Sequence, residues 1–166
     1  RGPERKLMVE ILAFVMMPNH YHLMLRQIVD GGITEFMRKL GTGYTNYFNL
    51  KHDRVGSLFQ SKYKIVHLER EAHFLYLPHY IHLNPTDLVS QSGREALLTF
   101  LDSYRWSSFP DYCGKKNFPS VLSPEFVLEQ YGGVSEYRKD FIGWLHESDA
   151  REIESVAIDS SENATG

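Results

Sequence analysis

The sequence contains a single cysteine, Cys113, among 166 residues. That excludes an intramolecular disulfide framework and any CxxC zinc ribbon. Long apolar runs are missing as well: none approaches the roughly eighteen residues of a membrane span, and no signal-peptide layout opens the chain. No Gly-rich phosphate loop marks a nucleotide site, and no internal repeat is visible. What these absences leave is a cytoplasmic protein in a reducing compartment, one ordinary domain with room for a small appendage. The chain opens on Arg1 rather than Met, and a longer native N-terminus is expected on that ground.

What is present suffices for a core. Hydrophobic residues make up 42% and aromatics 13%, with ten Tyr and ten Phe, which excludes a disordered chain. The net charge of −3 hides an uneven distribution. Residues 1–66 hold ten Lys/Arg against five Asp/Glu, whereas residues 145–166 hold six acids against Arg151 alone. A basic first part and an acidic tail permit a polyanion partner without demanding one.

Met8 to Met17 is a short β-leaning run, Pro18-Asn19 punctuates it, and His20 to Arg26 alternates. The pattern predicts a β-hairpin. After Asp30-Gly31-Gly32, helical spacing of Ile33, Phe36, Met37, Leu40, Tyr44, Tyr47 and Phe48 predicts an amphipathic helix ending near Asn49, its aromatics packed on the sheet. Gly41 and Gly43 would allow close packing on a sheet or close approach to a ligand. Alternation from Leu58 to Glu69 predicts a half-buried strand, with Gln60, Lys62 and Lys64 on one face. A second helix is expected from about Glu71 to Asn84, stopped by Pro85, with Pro78 kinking or restarting it. Two short helices are expected at Glu125–Gln130 and Ser135–Leu145, and irregular packed chain between Tyr104 and Pro119, Trp106 in the core.

Two local features carry chemistry. His20 and His22 flank Tyr21, so on a strand both imidazoles share one face, a natural pair of metal ligands or a sheet that happens to carry two histidines. Tyr80 and Asn84 stand one helical turn apart, a phenol beside an amide oxygen or a packed tyrosine before a helix stop.

Taken together, the segments resemble a known family. Met17-Pro18-Asn19-His20-Tyr21-His22-Leu23, then Gly41 to Asn49, Gly56 to Lys64, Tyr80-Ile81-His82-Leu83-Asn84-Pro85 and Tyr104-Arg105-Trp106-Ser107-Ser108 occur in an order similar to that of the REP-associated tyrosine transposases. These belong to the HUH superfamily of single-strand DNA endonucleases. The resemblance covers about residues 9 to 109. It implies an α+β, ferredoxin-like antiparallel sheet packed by helices. It also implies Mg²⁺ or Mn²⁺ held by His20, His22 and Asn84, and Tyr80 as the nucleophile that forms a 5′-phosphotyrosine on single-stranded or hairpin DNA. The cation or a neighbouring histidine, His79 or His82, would assist Tyr80 in losing its proton. Relatives open with a further strand and helix that find no match here, so the domain is expected to be N-terminally truncated.

Lys62, Lys64 and Gln60, with Arg38 and Lys39 as outer support, are the candidate DNA contacts. The expected organisation is a catalytic domain over 1–109, a helical appendage over 110–146 and an acidic disordered tail over 147–166. No membrane partner is expected, and monomer and homodimer both remain open. Two rivals stand beside cleavage and rejoining of DNA: a non-catalytic nucleic-acid-binding remnant, and a structural metal site built from His20, His22, His79 and His82.

Overall fold

A computed structural model describes residues 6–68, 71–90 and 93–147. The fold is α+β: strands β1 (Val9–Met16) and β2 (Tyr21–Gln27) form a hairpin, followed by helices α1 (Gly32–Lys51) and α2 (Glu71–Leu83). A 3-10 turn, Asn84–Leu88, then leads to α3 (Arg94–Ser103), α4 (Phe109–Tyr112), α5 (Glu125–Tyr131) and α6 (Val134–Glu147). Among the described residues, no helix is long and apolar enough to cross a membrane. The chain divides into two compact units, one of Arg1–Glu10 with Leu25–Ile65, the other of Ile11–Met24 with Val66–Gly166.

In the first unit, α1 starts after Gly31, whose φ of 67° lies where a Cβ is strained. Gly32 admits no side chain either, because a Cβ there would collide with the Met8 carbonyl oxygen. The expected helix is therefore present and its entry is fixed by glycine. Its expected burial is not. Only Gly32 and Met37 of its twenty residues are buried, and Tyr44 and Tyr47 are 48% and 57% exposed rather than packed on a sheet. A Cβ at Gly41 or Gly43 would meet nothing within 4 Å, so neither glycine serves close packing.

The strand expected over Leu58–Glu69 also does not form; its described part, up to Leu68, is bent and then irregular chain. Alternating residues define two faces, but a strand exists only when another strand completes its ladder. Among the described residues the sheet holds β1 and β2 alone.

The second unit owns the large core. Leu12, Ala13, Phe14 and Val15 are consecutively buried, as in a strand covered on both faces. The outer edge of β1 is also satisfied. Ser108 N–H donates to the Phe14 carbonyl at 3.0 Å, Met16 N–H to Trp106 at 2.8 Å and Ser123 N–H to Ile11 at 2.9 Å. The Tyr112 hydroxyl adds a bond to the Leu12 carbonyl at 2.7 Å. Irregular chain thus does the work of a third strand, protecting an edge that would otherwise invite pairing.

Helix α2 runs unbroken through Pro78, which is buried, and stops where Asn84-Pro85 predicts. Helix α3 was not among the expected elements; Leu97, Leu98 and Leu101 are its apolar signal, and Leu101 is fully buried. Residues 110–146 supply Tyr112, Leu122, Val127, Tyr137 and Phe141 to the same core as Phe14 and Ile81. Trp106, expected in the core, is 51% exposed, with the Arg105 guanidinium 4.7 Å from its ring centre. From residue 148 the acidic tail lies outside the described residues.

Candidate active site

Four predicted residues come together in the second unit. The hairpin turn closes through Met17 N–H to the His20 carbonyl at 2.8 Å, which places His20 immediately before β2 and His22 at its second residue. Their ring centres are 5.2 Å apart, edge to face. His20 is exposed, and its Nδ1 lies 2.7 Å from Asn19 Oδ1. His22 is half-buried, and its ring meets the Tyr80 ring edge-on at 5.4 Å.

Asn84 closes the group. Its Nδ2 donates to the Tyr80 carbonyl at 2.8 Å, which commits the amide nitrogen to the backbone. The Asn84 side chain also acts on His22, and with its nitrogen engaged the amide oxygen is the end free to face the imidazole. Burial, followed by the neighbouring His20, lowers the His22 pKa, and Asn84 opposes them. Neutral imidazole, the form that binds cations, is thereby favoured.

The donor set fits a divalent cation: two imidazoles and one amide oxygen, with an open side at exposed His20. Among the described residues no group of three or more His, Cys, Asp or Glu is gathered, so any such ion depends on Asn84 as well as on the histidine pair.

Two histidines of α2, His79 and His82, are committed elsewhere. His82 is fully buried, with Nδ1 2.6 Å from the Tyr137 hydroxyl and Nε2 2.7 Å from Ser108 Oγ. Ser108 accepts from Phe14 N–H at 2.9 Å and donates to the Phe14 carbonyl at 3.2 Å. Its proton is therefore used, so His82 Nε2 donates to it and Nδ1 accepts from Tyr137. His79 reaches Tyr137 at 3.3 Å and Asp140 at 2.7 Å. All four nitrogens have partners, so these histidines do not converge on the hairpin, and the four-histidine metal site is not formed. Sequence reasoning missed Tyr137, Asp140 and Ser108. The signal was there in part: two histidines three apart on an apolar helix need polar partners from elsewhere in the chain.

Tyr76, one turn before Tyr80, faces a different environment. Its ring packs edge-on to Trp144 at 5.3 Å, and its buried hydroxyl has no hydrogen-bond partner among the described residues. Burial, with Tyr80 nearby, pushes its pKa up to about 12.

The candidate DNA contacts belong to the first unit. Gln60, Lys62 and Lys64 are exposed. Arg38 holds Glu35 through two bonds of 2.8 Å, and Lys39 lies 3.4 Å from the same carboxylate.

Residues 3–84 match the model of a family described as IS200-like transposase. The matched stretch contains His20, His22 and Tyr80 and ends on Asn84. No curated protein and no solved structure matches the chain.

Proposed function

Because the chain belongs, through residues 3–84, to the IS200-like transposases, we propose that it cleaves and rejoins single-stranded DNA through Tyr80. The observation that carries this reading is the Tyr80 ring 5.4 Å from His22, with Asn84 bonded to the Tyr80 carbonyl and near enough to His22 to act on its titration. His20, His22 and Asn84 would hold Mg²⁺ or Mn²⁺, which when bound supplies positive charge to the scissile phosphate.

Tyr80 Oη attacks phosphorus, an O–P bond forms, and the P–O3′ bond breaks. The products are a 5′-phosphotyrosine and a free 3′-hydroxyl, and the leaving oxygen takes up a proton. A later 3′-hydroxyl reverses the step and joins strands, so the bond energy is kept. His79 and His82 do not act as bases, since their nitrogens are already engaged; the imidazole facing Tyr80 is His22. Asn84 fixes the last turn of α2 by bonding the Tyr80 carbonyl, and thus restricts where the phenol can point. The substrate is an unpaired strand, because a rigid duplex cannot bring a phosphate in line with Tyr80.

Incubation with Mn²⁺ and a single-stranded oligonucleotide, followed by a denaturing gel, tests this reading. Wild type is expected to give a protein–DNA adduct, Tyr80→Phe none, and Tyr76→Phe an undiminished one. His20→Ala with His22→Ala should remove Mn²⁺ binding in calorimetry. Binding of DNA without any adduct in wild type would leave the non-catalytic remnant instead. An adduct that persists in Tyr80→Phe would place the nucleophile elsewhere.

A further inference from the structure

The second half of α1 displays rings that an amphipathic helix ordinarily hides. No residue from Gly41 to Lys51 is buried, yet the stretch carries Tyr44, Tyr47, Phe48 and Leu50. The rings form one connected surface. The Tyr44 ring centre lies 6.4 Å from Tyr47, 6.2 Å from Phe48 and 6.3 Å from Phe59. Gly41 and Gly43 stand on the same half of the helix with open space where a side chain would be.

Cations frame these rings. Lys51 Nζ is 5.7 Å from the centre of Tyr47, and the Arg54 guanidinium is 5.7 Å from that of Phe48. Lys62 and Lys64 follow Phe59 in the chain and are exposed. Among the described residues, Lys51, Arg54, Lys62 and Lys64 take part in no ion pair, whereas Arg26, Arg38 and Lys39 do.

We propose that this face of α1 is a stacking platform for the unpaired bases of the DNA strand, with Lys51, Arg54, Lys62 and Lys64 meeting its phosphates. Flat apolar faces joined by a polyanionic backbone are what exposed rings beside unpaired cations complement. A second copy of the chain fits less well, because a two-fold pairing would press two cation-framed faces together. Bases are taken by their faces, so the platform is indifferent to sequence. The proposal rests on the DNA-processing reading for its ligand, but it is read by binding alone.

The test is fluorescence anisotropy with labelled oligo-dT on the Tyr80→Phe protein across a salt series. Tyr44→Leu with Tyr47→Leu keeps apolar area and removes the rings; affinity should fall about tenfold or more with an unchanged salt slope. Lys51→Gln with Arg54→Gln should reduce the slope of log affinity against log salt by about 1.4. Both sites are exposed, so the thermal midpoint should not move. Unchanged affinity in the leucine pair overturns the platform. So does sedimentation showing a wild-type dimer that the leucine pair dissociates, which would assign the face to a second copy. An adduct at Tyr80 with full binding by the leucine pair sinks the platform alone. Ring-dependent binding with no adduct in the Tyr80 protein sinks cleavage alone.

Discussion

Helix α1 is the longer of the first two helices and buries the less. Its twenty residues bury Gly32 and Met37, while the thirteen of α2 bury Pro78, His79, Ile81, His82 and Leu83. Periodicity is better in α1, and each helix carries a disturbing residue type, glycine in α1 and proline in α2. The difference therefore does not come from helix-forming power. It comes from what each helix is given to pack on: α2 has Tyr112, Tyr137 and Phe141 around it, and the far half of α1 has its own rings. A helix face becomes a core face only when a partner covers it.

The comparison can be broken most sharply at Ile81, which is 1% exposed. Ile81→Ala is expected to cost about 2–5 kcal/mol in urea denaturation, through lost transfer energy and the cavity left behind. A loss below about 1 kcal/mol would mean that the core around α2 is looser than its burial implies.

Tyr137→Phe is the next largest. It removes the hydroxyl shared by His79 and His82, leaving His82 Nδ1 unpartnered in full burial. The expected loss is about 1–3 kcal/mol, with the calorimetric midpoint as readout. An unchanged midpoint would show that the network can repack around a phenyl ring.

Acidification sharpens the same contrast. Burial, then His79, holds His82 well below the ordinary imidazole value, and burial lowers His79 against the pull of Asp140. Unfolded, both take up protons near pH 6.5. Their contribution to stability is complete above that value and is lost as pH falls toward the folded values, since the unfolded chain then binds protons that the folded one refuses. Each histidine removes up to about 1.4 kcal/mol per pH unit in that window. An unfolding free energy that stays flat from neutrality to about pH 5 would contradict this.

The smallest effect belongs to α1. Leu50 is 87% exposed, and Leu50→Ala should change stability by no more than about 0.5 kcal/mol. A cost comparable to that of Ile81→Ala would mean that a partner covers this face in solution, and the two helices would no longer differ.

What the sequence made legible follows the same division. The stop of α2 at Asn84-Pro85, the hairpin around Pro18-Asn19 and the pairing of His20 with His22 depend on neighbours a few residues away, and all are found as expected. The strand expected over Leu58–Glu69 does not form in its described part, because alternation marks two faces but cannot supply the neighbouring strand that completes a ladder. The burial of Tyr44 and Tyr47 failed for a related reason: helical spacing shows that residues share a face, never that something lies against it. The contacts that hold His79 and His82 join residues 26 to 61 positions apart, and no reading of α2 alone could supply Tyr137 or Asp140. Helix α3 was missed although Leu97, Leu98 and Leu101 mark it, since ten residues carry a weak periodic signal.

Asn84 shows how a neutral residue can be irreplaceable by its charged isostere. Its nitrogen holds the Tyr80 carbonyl while its oxygen is left free on the side of His22, so one planar group can donate at one end and accept at the other. An aspartate has the stronger oxygen for a cation but nothing to donate, and it would turn a lone pair onto that carbonyl. If Asn84 holds the proposed cation, the position gives up ligand strength for a fixed helix end. On that reading, an aspartate at this position would need another donor to take over the carbonyl of Tyr80.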